Sequence, residues 1–434
     1  MERYAMRRLV AWKRGKRRLP MLIRGARQVG KTWLMQEFGR LHFASVAYVN
    51  FDNNARMRAL FEGDFDIPRL LSGLQLESGV KITPETLLIF DEIQETPQAL
   101  SSLKYFCENA PEYAILASGS LLGVALHAGT SFPVGKVDFM ELRPLCYREV
   151  LAALGQEEMA ALLQSPDWSL IAAFGARYAE RLRQYLFLGG MPEVVAAFAE
   201  DGDYRAAREV QRRILAAYAQ DFSKHAPNAM VPRIRMLWEG VPGQLARENR
   251  RFFYGALRQG ARAKDFEMAL QWLLDCGLLQ RVDCVRKPNL PLAAYRASAF
   301  KLFMGDVGLL ACASGLEAET LLEGNRLFTE FKGALTEQFV AQELLFAGLA
   351  PHYWSNPDGQ SEVDFVVETR GAVIPIEVKA TENLQAKSLK VYHEKFSPPR
   401  SLRSSLSDYR REPWLTNVPL YAIGTYFENQ DILK

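Results

Sequence analysis

The sequence predicts a multidomain α/β protein whose N-terminal part is a doubly wound parallel sheet. Short, nearly continuous apolar runs alternate with helical patterns through the first 150 residues. A glycine-bounded loop of eight residues directly follows the first such run. The chain has 434 residues, which suggests about two to four domains at roughly 100–200 residues each.

Taken in order, MERYAMRRLVAWKRGKRRLP reads as an amphipathic helix, with Tyr4, Leu9 and Trp12 apolar among arginines. MLIRGARQVGKTWLMQEFGR predicts a strand, a loop and a helix, and ASVAYVNFDN alternates as a second strand. TLLIFDE fits a strand buried on both faces of a parallel sheet. YAILASGS is a similar run, and KVDFMELRPL is a fifth candidate. Residues 145–225 read as helical, interrupted at Gly189, Gly190 and Pro192. Predicted helices at Ile234–Glu248, Phe253–Arg258 and Asp265–Asp275 precede LLQRVDCV, a turn at KPNLP and a second strand-like piece. Helices followed by a hairpin is the order of a winged helix-turn-helix. From residue 325 the pattern gives a helix (FKGALTEQFVAQELLFAG), strands near YWSN, EVDFVVE and VIPIEVKA, a further helix and a last strand, PLYAIG. That is a further α/β unit.

Net charge is only +3, but positive charge clusters at KRGKRR and between Arg247 and Lys264. Such clusters can meet nucleic acid, and on charge alone a solvated face is the commoner outcome. No apolar run reaches the ~18 residues that span a bilayer. No apolar stretch with a small-residue cleavage site follows the basic N-terminus, so no secretory signal is read. The five cysteines are scattered without a CxxC pair. Neither a zinc site nor a disulfide framework is indicated, and a reduced cytoplasm is expected.

Gly25-Ala26-Arg27-Gln28-Val29-Gly30-Lys31-Thr32 matches the phosphate-loop pattern G-x-x-x-x-G-K-[ST]. The glycines let backbone N–H groups curl inward onto phosphate oxygens, and the following helix adds its positive end. Lys31 is expected to reach the β- and γ-phosphates and Thr32 to ligate Mg²⁺, with Trp33 next in the same turn. About sixty residues on, Leu87-Leu88-Ile89-Phe90-Asp91-Glu92 sets two carboxylates at the end of an apolar strand. Asp91 would hold Mg²⁺, and Glu92 would polarise the attacking water. Ser118 and Ser120, after AILASG, stand where a polar sensor would contact the γ-phosphate; a plain turn after a strand fits them equally well.

Together the phosphate loop, LLIFDEIQ, LASGSLLG and VDFMELRPLCYREVL resemble a bacterial and archaeal group of AAA+ ATPases with a C-terminal domain of unknown function. GGMPEVV, GQLARENRRF, GARAKDFEMALQWLLDCGLL, FKGALTEQFVAQEL and EVDFVV with IPIEVKA extend the resemblance along nearly the whole chain. It implies an AAA+-type core over residues 1–150, a helical lid over 151–225, a winged helix over 226–320, and over 321–434 a fold similar to PD-(D/E)xK nucleases, the restriction-endonuclease type. One departure matters. Many relatives carry an arginine in a Gly-Arg-Val context before the fifth strand, and here the segment is Gly135-Lys136-Val137. Lysine is a point charge without a planar fork, so a finger role for Lys136 is doubtful, and Arg143 is another candidate. Gly190-Met191-Pro192 resembles the lid element of signalling ATPases, whereas spacing alone reads it as a helix boundary.

In the C-terminal unit, Asp364 alternates with Val363, Phe365 and Val367, and Glu377 and Lys379 share one strand face about 7 Å apart. Two acids and a lysine that converge suit metal-dependent phosphodiester cleavage. Asp364 and Glu377 would bind Mg²⁺, Glu337 would complete the ligand set, and Lys379 would orient the water. On spacing alone, two amphipathic strands with solvated charges is the better reading, and the resemblance reverses that for the fold. Arg247, Arg250, Arg251, Arg258, Arg262 and Lys264 offer phosphate contacts, but the adjacent helix carries Asp265, Glu267 and Asp275, which suits a structural role better. The expected function is ATP hydrolysis with Mg²⁺, coupled to a C-terminal domain that binds or cuts nucleic acid. The alternative is a slow nucleotide-controlled switch with a non-catalytic C-terminal domain. DNA or RNA and a second copy of the chain are candidate partners; a membrane is not.

Overall fold

The computed structural model describes residues 3–119, 133–247, 250–321, 329–356, 361–380 and 386–428. The chain forms two compact units: Glu2–Arg143 with Asp275–Leu278, and essentially the remainder from Pro144 onward.

In the first unit all five expected strands form: β1 (Met21–Arg24), β2 (Ser45–Asn50), β3 (Thr86–Asp91), β4 (Ala114–Gly119) and β5 (Asp138–Glu141). They pair in the order β2-β3-β4-β1-β5, every neighbour parallel. Every residue of β3 and β4 is buried, because crossover helices cover a parallel sheet on both faces. Phe51, Phe61 and Phe90 meet edge-to-face at centroid distances of 5.5–6.1 Å in the core. Parallel pairing places the C-terminal ends of β1, β3 and β4 on one edge, where ligands of such sheets bind. β4 lies between β1 and β3, with Ser118 opposite Ile23.

The second unit opens with helices, among them Gly175–Leu188, Pro192–Asp201, Tyr204–His225 and Val231–Leu245. It then builds an eight-stranded mixed sheet from β6 (Leu279–Val285), β7 (Arg296–Met304), β8 (His352–Ser355), β9 (Glu362–Thr369), β10 (Ala372–Val378), β11 (Ser401–Ser405), β12 (Arg410–Arg411) and β13 (Leu415–Pro419). The order is β12-β13-β11-β10-β9-β8-β6-β7. The hairpin expected as the wing of a winged helix is thus the edge of the C-terminal sheet: β6 pairs with β8 in parallel, Cys284 opposite Tyr353 and Val285 opposite Trp354. Val282, Cys284 and Val285 are all buried, so β6 needs cover that a free wing lacks. A boundary at residue 320 would cut this sheet. The expected last strand, PLYAIG, is also corrected: the strand is Leu415–Pro419, and Leu420 onward turns through a 3₁₀ segment into the helix Ile423–Glu428. A short apolar run fits either period, and tertiary pairing decides.

The Gly189-Gly190 break is held by a buried carboxylate. Asp306 accepts from Gly190 N–H at 2.7 Å and, as the cap of helix Val307–Ala313, from Leu309 N–H at 2.9 Å. Gly189 has φ 70°, and a Cβ there would lie 2.1 Å from Asp306 Oδ1.

A second buried acid gives the unit a pH dependence. Glu343, on the helix Thr329–Phe346, accepts from Tyr147 N–H at 2.9 Å. Burial pushes its carboxyl up from 4.5 to about 7; the Tyr147 hydrogen bond and Arg148 oppose the shift, and Glu428 and Glu149 add to it. A raised folded-state value favours folding below the unfolded value, and that stability is lost as pH rises toward about 7. The contribution is roughly 3 kcal/mol. Denaturation midpoints at pH 5.5 and pH 8 should therefore differ less in Glu343→Gln than in wild type, with the variant the more stable at pH 8. Equal pH slopes in the two proteins would refute this. Among the described residues no helix is long and apolar enough to cross a membrane.

Candidate functional site

The eight-residue loop leaves β1 and enters the helix Lys31–His42. Its curl needs left-handed backbone at Gln28 (φ 67°) and Gly30 (φ 90°). Gly25 admits no side chain, because a Cβ would lie 2.1 Å from Leu142 O. Ala26 and Val29 are buried beneath the loop. In the same compact unit, a Cβ on Gly277 would lie 3.3 Å from Ala26 N. Spacing gave no signal for that approach, which lies some 250 residues further along the chain.

Lys31 is 6% exposed and donates to Gly25 O at 2.9 Å and Ala26 O at 2.8 Å. Burial lowers its ammonium to about 8, while Glu92 and Asp91 pull the other way and Arg27 adds to the lowering. The Thr32 hydroxyl donates to Asp91 Oδ2 at 2.7 Å. Asp91 ends β3, 3% exposed, and also accepts from Ser118 Oγ and, at 3.0 Å, from Tyr48 OH. Tyr48 was missed by sequence reading; strand alternation of β2 beside β3 is the signal that could have found it. Burial, then Asp91, raises its phenol well above the usual range. Glu92 has φ 52°, and Gln94 Nε2 donates to its Oε2 at 2.6 Å. Left-handed backbone costs a non-glycine residue of order 1–3 kcal/mol and turns this carboxylate out of the strand direction.

Lys31, Thr32, Asp91, Glu92 and Ser118 thus gather at one sheet edge. Trp33 is 43% exposed on the helix surface. Ser120 lies outside the described residues. Lys136 precedes β5, at the opposite sheet edge from the loop, and pairs with Glu108 at 2.8 Å. Arg143 follows β5 on the loop's own edge, paired with Glu141 at 2.8 Å.

Residues 17–151 match the family described as AAA domain. The segment has an AAA-type P-loop ATPase fold. Beyond this AAA-type domain, residues 179–320 and 332–422 match two families each described as a domain of unknown function, DUF8612 and DUF4143. No curated protein matches the chain. Among solved structures, the chain is similar to a Walker-type ATPase of Pyrococcus abyssi at 15% identity and TM-score 0.45, over 72% of this chain and 95% of that one. It is also similar to the Orc1 protein of Aeropyrum pernix in complex with DNA (15%, TM-score 0.28, 78% and 92% covered). A third is the RuvB Holliday junction branch migration motor of Thermotoga maritima (15%, TM-score 0.28, 66% and 90% covered).

The second unit gathers the other predicted group. Val378 N–H donates to Asp364 Oδ2 at 2.7 Å, and Lys379 Nζ donates to Glu377 Oε1 at 2.8 Å. Burial raises Asp364 well above the carboxylate range, with Glu337 and Glu377 adding to the shift. Burial likewise raises Glu377, against the pull of Lys379. Burial alone would raise Glu337 too, but Lys301 and Arg250 outweigh it and hold that carboxylate low. Lys301 is the residue sequence reading missed. It sits on β7, a strand expected in a different domain. Arg250 and Arg251, expected as phosphate contacts, are spent internally on Glu337 and Glu362.

Proposed function

We propose that the AAA-type domain binds ATP with Mg²⁺ and hydrolyses it by attack of water on the γ-phosphate. The observation that carries this reading is the single edge on which Thr32, Asp91, Glu92 and Ser118 meet beneath a loop with room only for glycine at Gly25. The residues present fit the ligand. The cradle of backbone amides and the buried Lys31 suit a phosphate tail, and the Thr32 hydroxyl and Asp91 suit a hard cation. Thr32 and Asp91 would hold the ion, which would supply positive charge to offset that of the phosphates. Lys31 positions the γ-phosphate, Ser118 holds Asp91 in place, and Glu92, steadied by Gln94, takes the proton of the attacking water.

Glu92→Gln keeps shape and hydrogen bonding while removing the base. It should lower turnover by about 10²–10⁴-fold with nucleotide affinity nearly unchanged by calorimetry. Wild-type turnover in that variant would remove Glu92 from the chemistry.

The C-terminal half admits two readings. A domain that binds or cuts nucleic acid predicts turnover stimulated by DNA or RNA. A slow switch, in which nucleotide state controls self-assembly or a protein partner, predicts nucleotide retained through purification. The Lys136–Glu108 ion pair favours the switch, because it occupies the lysine that stands where an arginine finger is expected. Turnover with and without DNA and RNA at low salt separates them: stimulation by either refutes the switch.

A further inference from the structure

The acid cluster of the second unit already holds a cation. Lys301 has a side chain 0% exposed, and its Nζ lies 2.7 Å from Glu362 Oε1 and 3.5 Å from Glu337 Oε2. The face of the Tyr353 ring closes the cage, 5.0 Å from Nζ to the centroid. Arg250 takes the other oxygen of Glu337, Arg251 Nε stands 3.5 Å from Glu362 Oε2, and Lys379 pairs with Glu377. Three carboxylates (Glu337, Glu362, Glu377) therefore pair with four cationic side chains (Lys301, Arg250, Arg251, Lys379), and the fourth acid, Asp364, is hydrogen-bonded to Glu337 and to Val378 N–H. Carboxylate sites for Mg²⁺ attract the ion through uncompensated negative charge on several oxygens. The Lys301 ammonium gives its donors to two of these acids, Glu362 and Glu337, and places a positive charge among them without a metal. Among the described residues no group of three or more His, Cys, Asp or Glu side chains is arranged to hold a metal ion.

We propose that the Lys301 ammonium, held by Glu362 and Glu337, is the resident cation of this cluster, so that Glu337, Asp364 and Glu377 do not take Mg²⁺ and the C-terminal unit is not a metal-dependent nuclease. The ammonium ties β7 to β9 and to the helix Thr329–Phe346, which also explains why the expected wing belongs to this sheet. Glu377 Oε2 is buried without a hydrogen-bond partner, and it marks the oxygen a metal would recruit once Lys301 is gone. The assignment does not rest on ATP turnover and survives its failure.

The test is a Mn²⁺ titration of the nucleotide-free full chain, read by electron paramagnetic resonance of the free ion. Wild type and Asp364→Asn should bind equally, and wild type should leave supercoiled DNA uncut in Mn²⁺. Lys301→Met should gain a site roughly tenfold or more tighter than any in wild type, and adding Asp364→Asn should abolish it. Wild-type Mn²⁺ binding that Asp364→Asn or Glu377→Gln removes would overturn the proposal. So would DNA cleavage lost in Lys379→Ala, or a folded Lys301→Met without the new site. Lys301→Met leaves buried carboxylates uncompensated, and circular dichroism reports whether it folds; should it fail, the comparison of wild type with Asp364→Asn and Glu377→Gln decides alone.

Discussion

Lys31→Ala should lose ATP binding and turnover together, unlike Glu92→Gln, which should lose turnover alone. The ammonium is 6% exposed, and its hydrogen bonds run to the carbonyls of Gly25 and Ala26. Those are weak partners for a charge that burial holds down to about 8. A triphosphate arriving at the loop replaces them with formally charged oxygens in a site of low dielectric, where charge-assisted hydrogen bonds are strongest. Removing one preorganised donor that meets developing negative charge costs about 10²–10³-fold in rate in an oxyanion hole; a loss on that order is expected here, and loss of ground-state affinity comes on top. Calorimetry with ATP and Mg²⁺, alongside a phosphate-release assay, measures both. Lys31→Ala that binds ATP as tightly as wild type would mean the loop does not grip the phosphates through this side chain.

Gly190→Ala should destabilise the second unit more than any surface change in it. Its Cβ would lie 1.9 Å from Leu145 O and 2.7 Å from Leu145 N, which are backbone atoms and cannot rotate away. The same glycine accepts from Leu145 N–H at 2.7 Å through its carbonyl and donates to Asp306 at 2.7 Å. The clash therefore breaks two buried hydrogen bonds and strips Asp306 of one of the donors that make its burial tolerable. The expected loss is on the order of 4 kcal/mol, which lowers the melting temperature of a unit this size by about 10 °C. Differential scanning calorimetry of wild type and variant measures it. A shift within about 2 °C, at the scale of an ordinary surface substitution, would show that the segment moves aside without cost.

How far the site could be read from residues alone differs between the two units. The proposed nucleotide site follows from local chemistry. Gly25, Gly30, Lys31 and Thr32 are contiguous, and Asp91-Glu92 ends a strand whose burial on both faces is written in TLLIF. Each of those inferences uses neighbours within one strand–loop–helix step. Tyr48 escaped because it reaches Asp91 across two paired strands. The acid cluster is the opposite case. Asp364, Glu377 and Lys379 were legible as a strand pattern, yet the side chain proposed to set their chemistry, Lys301, comes from β7, more than sixty residues before Asp364 and with two strands, β6 and β8, between β7 and β9.

By itself the sequence determined the parallel sheet of the first unit, its phosphate loop and the acids that face it, because hydrophobic period and loop chemistry act over a few residues. Only the tertiary structure decided that the hairpin Leu279–Met304 extends the C-terminal sheet, that PLYAIG becomes a helix, and that the buried acids meet an ammonium. Strand pairing and ion pairing between distant segments are settled by which partners burial leaves within reach, and no local pattern records that.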